Sequence, residues 1–140
     1  EVNELLTKHF IELRAASPEG SAHVLDIPGL KIPSIKFWSL WEDTNLVGCG
    51  ALKFLSETHG EFKSIRVADN FKKKGYGKKI IVDLLSKSKV LGIQEISVET
   101  GAGEFFLPAR KLFKSCGFEE CEPFAHYSLD PNSCYYNLKI

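Results

Sequence analysis

Five lysines and two glycines crowd into the eight positions Lys72-Lys73-Lys74-Gly75-Tyr76-Gly77-Lys78-Lys79. Ahead of them Ile65-Arg66-Val67 reads as the end of a strand. Behind them Ile80, Ile81, Leu84, Leu85 and Leu91 recur at helical spacing. A strand end, a glycine turn and a helix start expose unpaired N–H groups at the positive end of a helix dipole. Glycines let that backbone approach closely, so a Cβ at Gly75 or Gly77 is expected to crowd a bound phosphate or strain the turn. With the lysine charge, the chemistry indicated is pyrophosphate binding. A Walker A loop would need Gly at 72 and Ser or Thr at 79, and both are Lys. A dinucleotide fingerprint would need a third Gly at 80, which is Ile, and Gly101-Ala102-Gly103 has Phe106 at the matching place. What remains is basic-x-x-Gly-x-Gly, which on its own fits a solvated helix start as well as a ligand site.

Other residues able to do chemistry are Glu61 and Glu99 as bases and His23 and His126 as imidazoles. Arg66 and Arg110 are cations suited to a carboxylate. In a regular strand Glu61, Lys63, Ile65 and Val67 share one face; a bulge between them would reverse that.

The elements that must hold these residues are legible in outline. Val2, Leu5, Leu6, His9, Phe10 and Leu13 mark a first amphipathic helix, ended by Ser17-Pro18-Glu19-Gly20. Residues 21–33 read as a long loop, with Pro28-Gly29 and Pro33, and its length suggests a substrate-side role for His23. Strands are expected at Ile35–Trp41, Leu46–Leu55 and Glu61–Val67, forming an antiparallel meander, and Gly48 and Gly50 hint at a bulge or close approach. A helix to Gly92 then leads to a strand at Ile93–Val98, and a connection of this kind implies a parallel pair. A second helix spans about Phe105–Cys116, with Pro108 in its first turn and Gly117 after its end. Short strands are expected at Phe124–Tyr127 and Cys134–Leu138. The class is α/β on a mixed sheet flanked by helices, in one domain spanning residues 1–140.

The chain has 140 residues, with 18 Lys+Arg against 18 Asp+Glu. That balance, and the lack of a basic stripe interleaved with aromatics, argue against a nucleic-acid partner. No apolar run approaches membrane-spanning length, and nothing resembles a signal peptide. Cys49, Cys116, Cys121 and Cys134 lack metal or redox spacing, as expected of reduced thiols in a cytoplasmic protein without a metal site. The chain begins at Glu1 and contains no Met, so upstream residues are expected, an N-terminal strand among them. An exposed C-terminal strand would offer an edge for a homodimer.

The basic-x-x-Gly-x-Gly loop resembles the coenzyme A pyrophosphate loop of the GNAT acetyltransferases. Ala109-Arg110-Lys111-Leu112-Phe113-Lys114-Ser115-Cys116-Gly117-Phe118 resembles that family's A-x-x-L-Y-x-x-x-G-F signature. Three segments are similar to its YsnE-like bacterial branch: Gly48–Lys53, Glu99-Thr100-Gly101, and Pro123–Tyr127 with Asp130-Pro131-Asn132-Ser133. The resemblance covers about three-quarters of the chain. It implies a mixed, mostly antiparallel sheet with a central parallel pair. It also implies acetyl-CoA as cosubstrate and an amine acceptor, of which a small molecule is preferred because the balanced charge offers no docking surface.

By the same resemblance, Lys72, Lys73, Lys74, Gly75, Tyr76, Gly77 and Lys78 hold the pyrophosphate. Ile65, Arg66 and Val67 lie along the pantetheine arm, with a backbone amide facing the thioester. Phe106 and Phe113 contact the cofactor. From residue type and position, His23, Arg110 and Tyr127 are expected on the acceptor side. Lys72 stands where the family usually has Gln or Arg, keeping charge but not the planar fork. Phe106 stands near a frequent Asn, and Phe113 where many relatives carry a Tyr able to protonate the departing thiolate. Tyr127 or Cys116 are candidate replacements, with solvent the simpler one. Glu61 is the preferred base and Glu99 the alternative. A non-catalytic acyl-CoA sensor is the competing reading, supported mainly by Phe113.

Overall fold

The computed structural model describes residues 1–8 and 34–140. The loop expected at 21–33, with its His23, lies outside the described residues.

Residues 2–8 are helical (α1), and their apolar side chains Leu5 and Leu6 are buried against Ile35, Leu46, Cys49 and Ala51. Three antiparallel strands follow: β1 (Ile35–Glu42), β2 (Asn45–Phe54) and β3 (His59–Val67). A 3₁₀ turn at Asp69–Phe71 leads into α2 (Tyr76–Val90). Gly92, at φ 89°, turns the chain after α2 and delivers it to β4 (Glu95–Gly101), which pairs parallel to β3. A second 3₁₀ turn, Glu104–Phe106, runs into α3 (Leu107–Ser115), which has Pro108 in its first turn and ends before Gly117 at φ 95°. Both glycines take the left-handed conformation that other residues adopt at a cost.

The strands order as β1-β2-β3-β4-β6-β5, where β5 is Glu119–Glu120 and β6 is Ser133–Lys139. The sheet is thus antiparallel apart from the β3–β4 pair. The strand expected at Phe124–Tyr127 does not form. Those residues make a turn closed by Tyr127 N–H donating to the Phe124 carbonyl at 3.0 Å, with Ala125 at φ 52°. Aromatic content suggested a strand there, but the side chains pack on one another instead. Phe124 meets Tyr127 edge-on with centroids 5.1 Å apart.

α2 lies on the sheet through Ile80, Ile81 and Leu84, none of which has accessible surface. Each such residue contributes about 1.5–3 kcal/mol by leaving water. α3 adds Phe113, which packs on Phe118 and stacks on Tyr136. Gly48 and Gly50 are required by this packing. A Cβ on Gly48 would stand 2.2 Å from the Arg66 carbonyl oxygen, and one on Gly50 would stand 2.5 Å from Leu84.

Candidate active site

The parallel pair among the described strands is short. β3 and β4 are registered from His59↔Glu95 to Phe62↔Val98 and then part. Where they separate, a cleft of about 590 Å³ opens. Lys63 to Val67 form one wall and Glu99 to Gly101, which stay paired to β6, form the other.

A β-bulge shapes the first wall. Cys49 pairs with Arg66 and Ala51 with Lys63, so Gly50 faces both Ser64 and Ile65. Ser64 absorbs the extra residue at φ 54°. A bulge reverses side-chain parity, which corrects the single face expected for Glu61, Lys63, Ile65 and Val67. Ile65 and Val67 belong to the core beneath α2. Glu61 and Lys63 project from the other face, the one that carries Ala51 and α1. All four still line the cleft, because the gap between the strands is open to both faces.

At one end of the cleft lies the lysine–glycine loop. Lys73 (φ 60°) and Gly75 (φ 84°) are left-handed, and Gly75 caps the start of α2. A Cβ on Gly75 would meet nothing within 4 Å, so the space in front of it is open. Gly77 also lines the cleft. Its absent Cβ makes room for Leu112 of α3, which would lie 2.7 Å away; helix packing accounts for this glycine before any ligand does. Lys72, Lys73 and Lys78 line the cleft, whereas Lys74 and Tyr76 do not. The Tyr76 hydroxyl donates to Glu42 at 2.6 Å, and its ring packs edge-on to Phe71. Lys72 is 3.0 Å from Asp69, which Lys8 and Arg66 also approach. Hydrogen bonds from Lys8 and then Lys72 hold the Asp69 carboxyl down at about 2.

At the other end Glu61 is 1% exposed. The Tyr127 hydroxyl donates to Glu61 Oε2 at 2.6 Å, and Lys63 Nζ donates to the same oxygen at 3.1 Å and to the Tyr127 oxygen at 2.9 Å. Glu61 Oε1 is buried and accepts no hydrogen bond among the described residues. Burial, and then the nearby Glu61 charge, push the Tyr127 hydroxyl far above its ordinary value, so this phenol stays protonated as a donor. Glu99 lies across the cleft, its Oε2 accepting a 2.7 Å hydrogen bond from Ser133.

Phe106 and Phe113 both line the cleft, and Phe106 packs its ring on Gly101, where a Cβ would fall 2.2 Å from the ring. Arg110 is engaged elsewhere: one guanidinium nitrogen donates to the carbonyls of Gly101 and Gly103, each at 2.8 Å, bracing the turn between β4 and α3. It does not line the cleft. His126 is exposed, stacked on Tyr127. Cys116 caps the end of α3. Neither reaches the cleft.

The whole arrangement joins a lysine–glycine helix start to a buried carboxylate through a mostly apolar slot. Sequence reasoning missed Tyr127 as a partner of Glu61 and Ser133 as the partner of Glu99. It also left the bulge unplaced, although Gly50 was the signal for it.

Known proteins are similar to this chain in sequence and in fold. The family model described as Acetyltransferase (GNAT) family matches residues 2–118. The chain is 41% identical to the uncharacterized N-acetyltransferase YsnE of Bacillus subtilis, covering all of this chain and 93% of that one. It is 38% identical to the uncharacterized N-acetyltransferase YedL of Escherichia coli, covering 99% and 87%. Among solved structures it is similar to a Bacillus subtilis acetyltransferase in complex with CoA, at TM-score 0.68 and 20% identity, covering 95% of this chain and 92% of that one.

Proposed function

The chain belongs to the GNAT acetyltransferase family, and on that premise we propose that it transfers an acetyl group from acetyl-CoA to a primary amine of a small molecule by direct attack. The observation that carries this reading is the cleft at the β3–β4 parting, with a lysine–glycine helix start at one end and a buried carboxylate at the other.

The residues present fit the cosubstrate. The open space before Gly75, the N–H groups at the start of α2 and the charges of Lys72, Lys73 and Lys78 suit a pyrophosphate. Ile65, Val67, Phe106 and Phe113 supply apolar walls for a pantetheine arm. When bound, acetyl-CoA supplies the acetyl group and a thiolate leaving group. Past Phe62, β3 has no register with β4, which leaves its backbone available to polarise a carbonyl.

An amine near pH 7 is an ammonium, with a pKa of ~10 and no lone pair to attack with. Glu61 takes that proton at Oε1, directly or through water. Glu99 is the alternative base. With Phe at 113 and the Tyr127 hydroxyl turned to Glu61, solvent protonates the thiolate, whose low basicity makes this the least demanding step.

The test is a panel of small primary amines incubated with acetyl-CoA, detecting free thiol and acetylated product. Thiol release that depends on an amine supports the reading. Binding of acetyl-CoA with no thiol release for any amine would favour a sensor.

A further inference from the structure

The buried triangle around Glu61 contains a residue that the proposed reaction does not itself use. Lys63 is two positions along β3, its side chain 7% exposed, with Nζ donating both to Glu61 Oε2 and to the Tyr127 oxygen. Tyr127 closes the triangle with its own donation to Oε2. The Tyr127 ring is fixed in turn by aromatic neighbours: His126 stacks on it at 4.7 Å, Phe124 meets it edge-on at 5.1 Å and Tyr135 lies tilted at 5.9 Å. Both donors therefore converge on one oxygen of the carboxylate, and the other oxygen is left buried and without a hydrogen bond among the described residues.

An ionised carboxylate this deeply buried is costly unless an opposite charge and hydrogen bonds compensate it. Lys63 provides the charge and Tyr127 the neutral donor. Two donors on Oε2 also fix the plane of the carboxylate, which a single bond would leave free to rotate. Regular strand alternation puts Lys63 on the Glu61 face, and the bulge at Ser64 then sends Ile65 and Val67 to the opposite one.

We propose that Lys63 and Tyr127 are positioning residues that saturate Glu61 Oε2 and thereby present Oε1, ionised, to the acceptor. This rests on the reading of Glu61 as base. In this role Lys63 acts through Glu61.

The test titrates the Glu61 carboxyl itself, by carbon NMR of protein labelled at the Glu δ-carbon, with the resonance identified by its loss in Glu61→Gln. Lys63→Met should move the midpoint up by about one pH unit or more, since an opposite charge at this range favours the ionised form. Lys63→Arg should keep most of the wild-type midpoint. Tyr127→Phe, which preserves ring packing, should move it up by a smaller amount. In turnover assays with an amine from the panel, Lys63→Met should lower kcat and raise the acidic limb of the pH profile while KM for acetyl-CoA stays put. An unchanged midpoint in Lys63→Met overturns the proposal. If that variant does not fold, an unchanged midpoint in Tyr127→Phe does so. The titration needs no acceptor, so its outcome is independent of whether Glu61 is the base.

Discussion

At one end of the cleft, the turn between β3 and α2 is made by neighbours in sequence, and it offers the cleft a helix start and exposed lysines. At the other end, Glu61 is completed by Tyr127, 66 positions away, in a triangle with almost no exposure. The first end is a conformation: what it needs is a left-handed turn and a helix start. The second is an electrostatic balance: what it needs is compensation of a buried charge. Substitutions at the two ends should therefore separate into losses of cosubstrate affinity and losses of turnover.

The largest effect is expected for Glu61→Gln, which keeps shape and removes the basic atom. It should lower kcat by ~10²–10⁴ near neutral pH, with acetyl-CoA affinity by calorimetry barely changed. The deficit should shrink at high pH, where the amine is already neutral. If Glu61→Gln keeps full kcat and Glu99→Gln loses it, the base is Glu99.

Gly75→Val comes next and should do the reverse. No atom lies within 4 Å of the new Cβ, but φ 84° does not suit a β-branched residue. Relaxation of the turn should weaken CoA binding about tenfold, equivalent to about 1.4 kcal/mol, and leave affinity for dephosphorylated pantetheine alone. Gly77→Ala sharpens the contrast. Its Cβ meets the end of Leu112, so melting temperature should fall along with CoA affinity. A Gly77→Ala protein with wild-type melting and weakened CoA binding would return that glycine to the ligand.

A smaller effect, a few-fold loss of CoA affinity, is expected for Lys72→Gln, and it should narrow as salt screens the exposed charges. Smallest is the contribution of Asp69, which is nearly half exposed. Its folded-state carboxyl titrates at about 2 against an ordinary 3.8. The depressed value means that stability from its ion pairs is present above about pH 4 and lost as pH falls through about 2. Asp69→Asn should thus be slightly less stable than wild type at neutral pH, by denaturant titration, and the two should converge near pH 2. Parallel stability curves down to pH 2 would contradict the ion-pair account.

The difference between the two ends also explains what the sequence made legible. The order of strands, the parallel pair and both helix ends follow from local signals: apolar spacing, Gly92, Gly117 and Pro108. The helix-start loop is local too. By contrast, Tyr127 and Ser133, the distant partners of Glu61 and Glu99, come from the turn at Phe124–Tyr127 and from β6, and no spacing rule links positions so far apart. The aromatic turn near Phe124 defeated strand propensity because its rings pack on each other and on Tyr135 rather than across a sheet. Side-chain parity on β3 failed at one residue, Ser64, and that single φ reassigned Glu61 to the opposite face from Ile65.

The division of labour along the cleft is tested most directly by an experimental structure with acetyl-CoA bound. The pyrophosphate should rest on the backbone N–H groups at the start of α2, next to Gly75, with the thioester at the parting of β3 and β4 and Glu61 Oε1 facing the remaining opening. A pyrophosphate seated away from the α2 start, or a thioester separated from Glu61 by the intact sheet, would contradict the account.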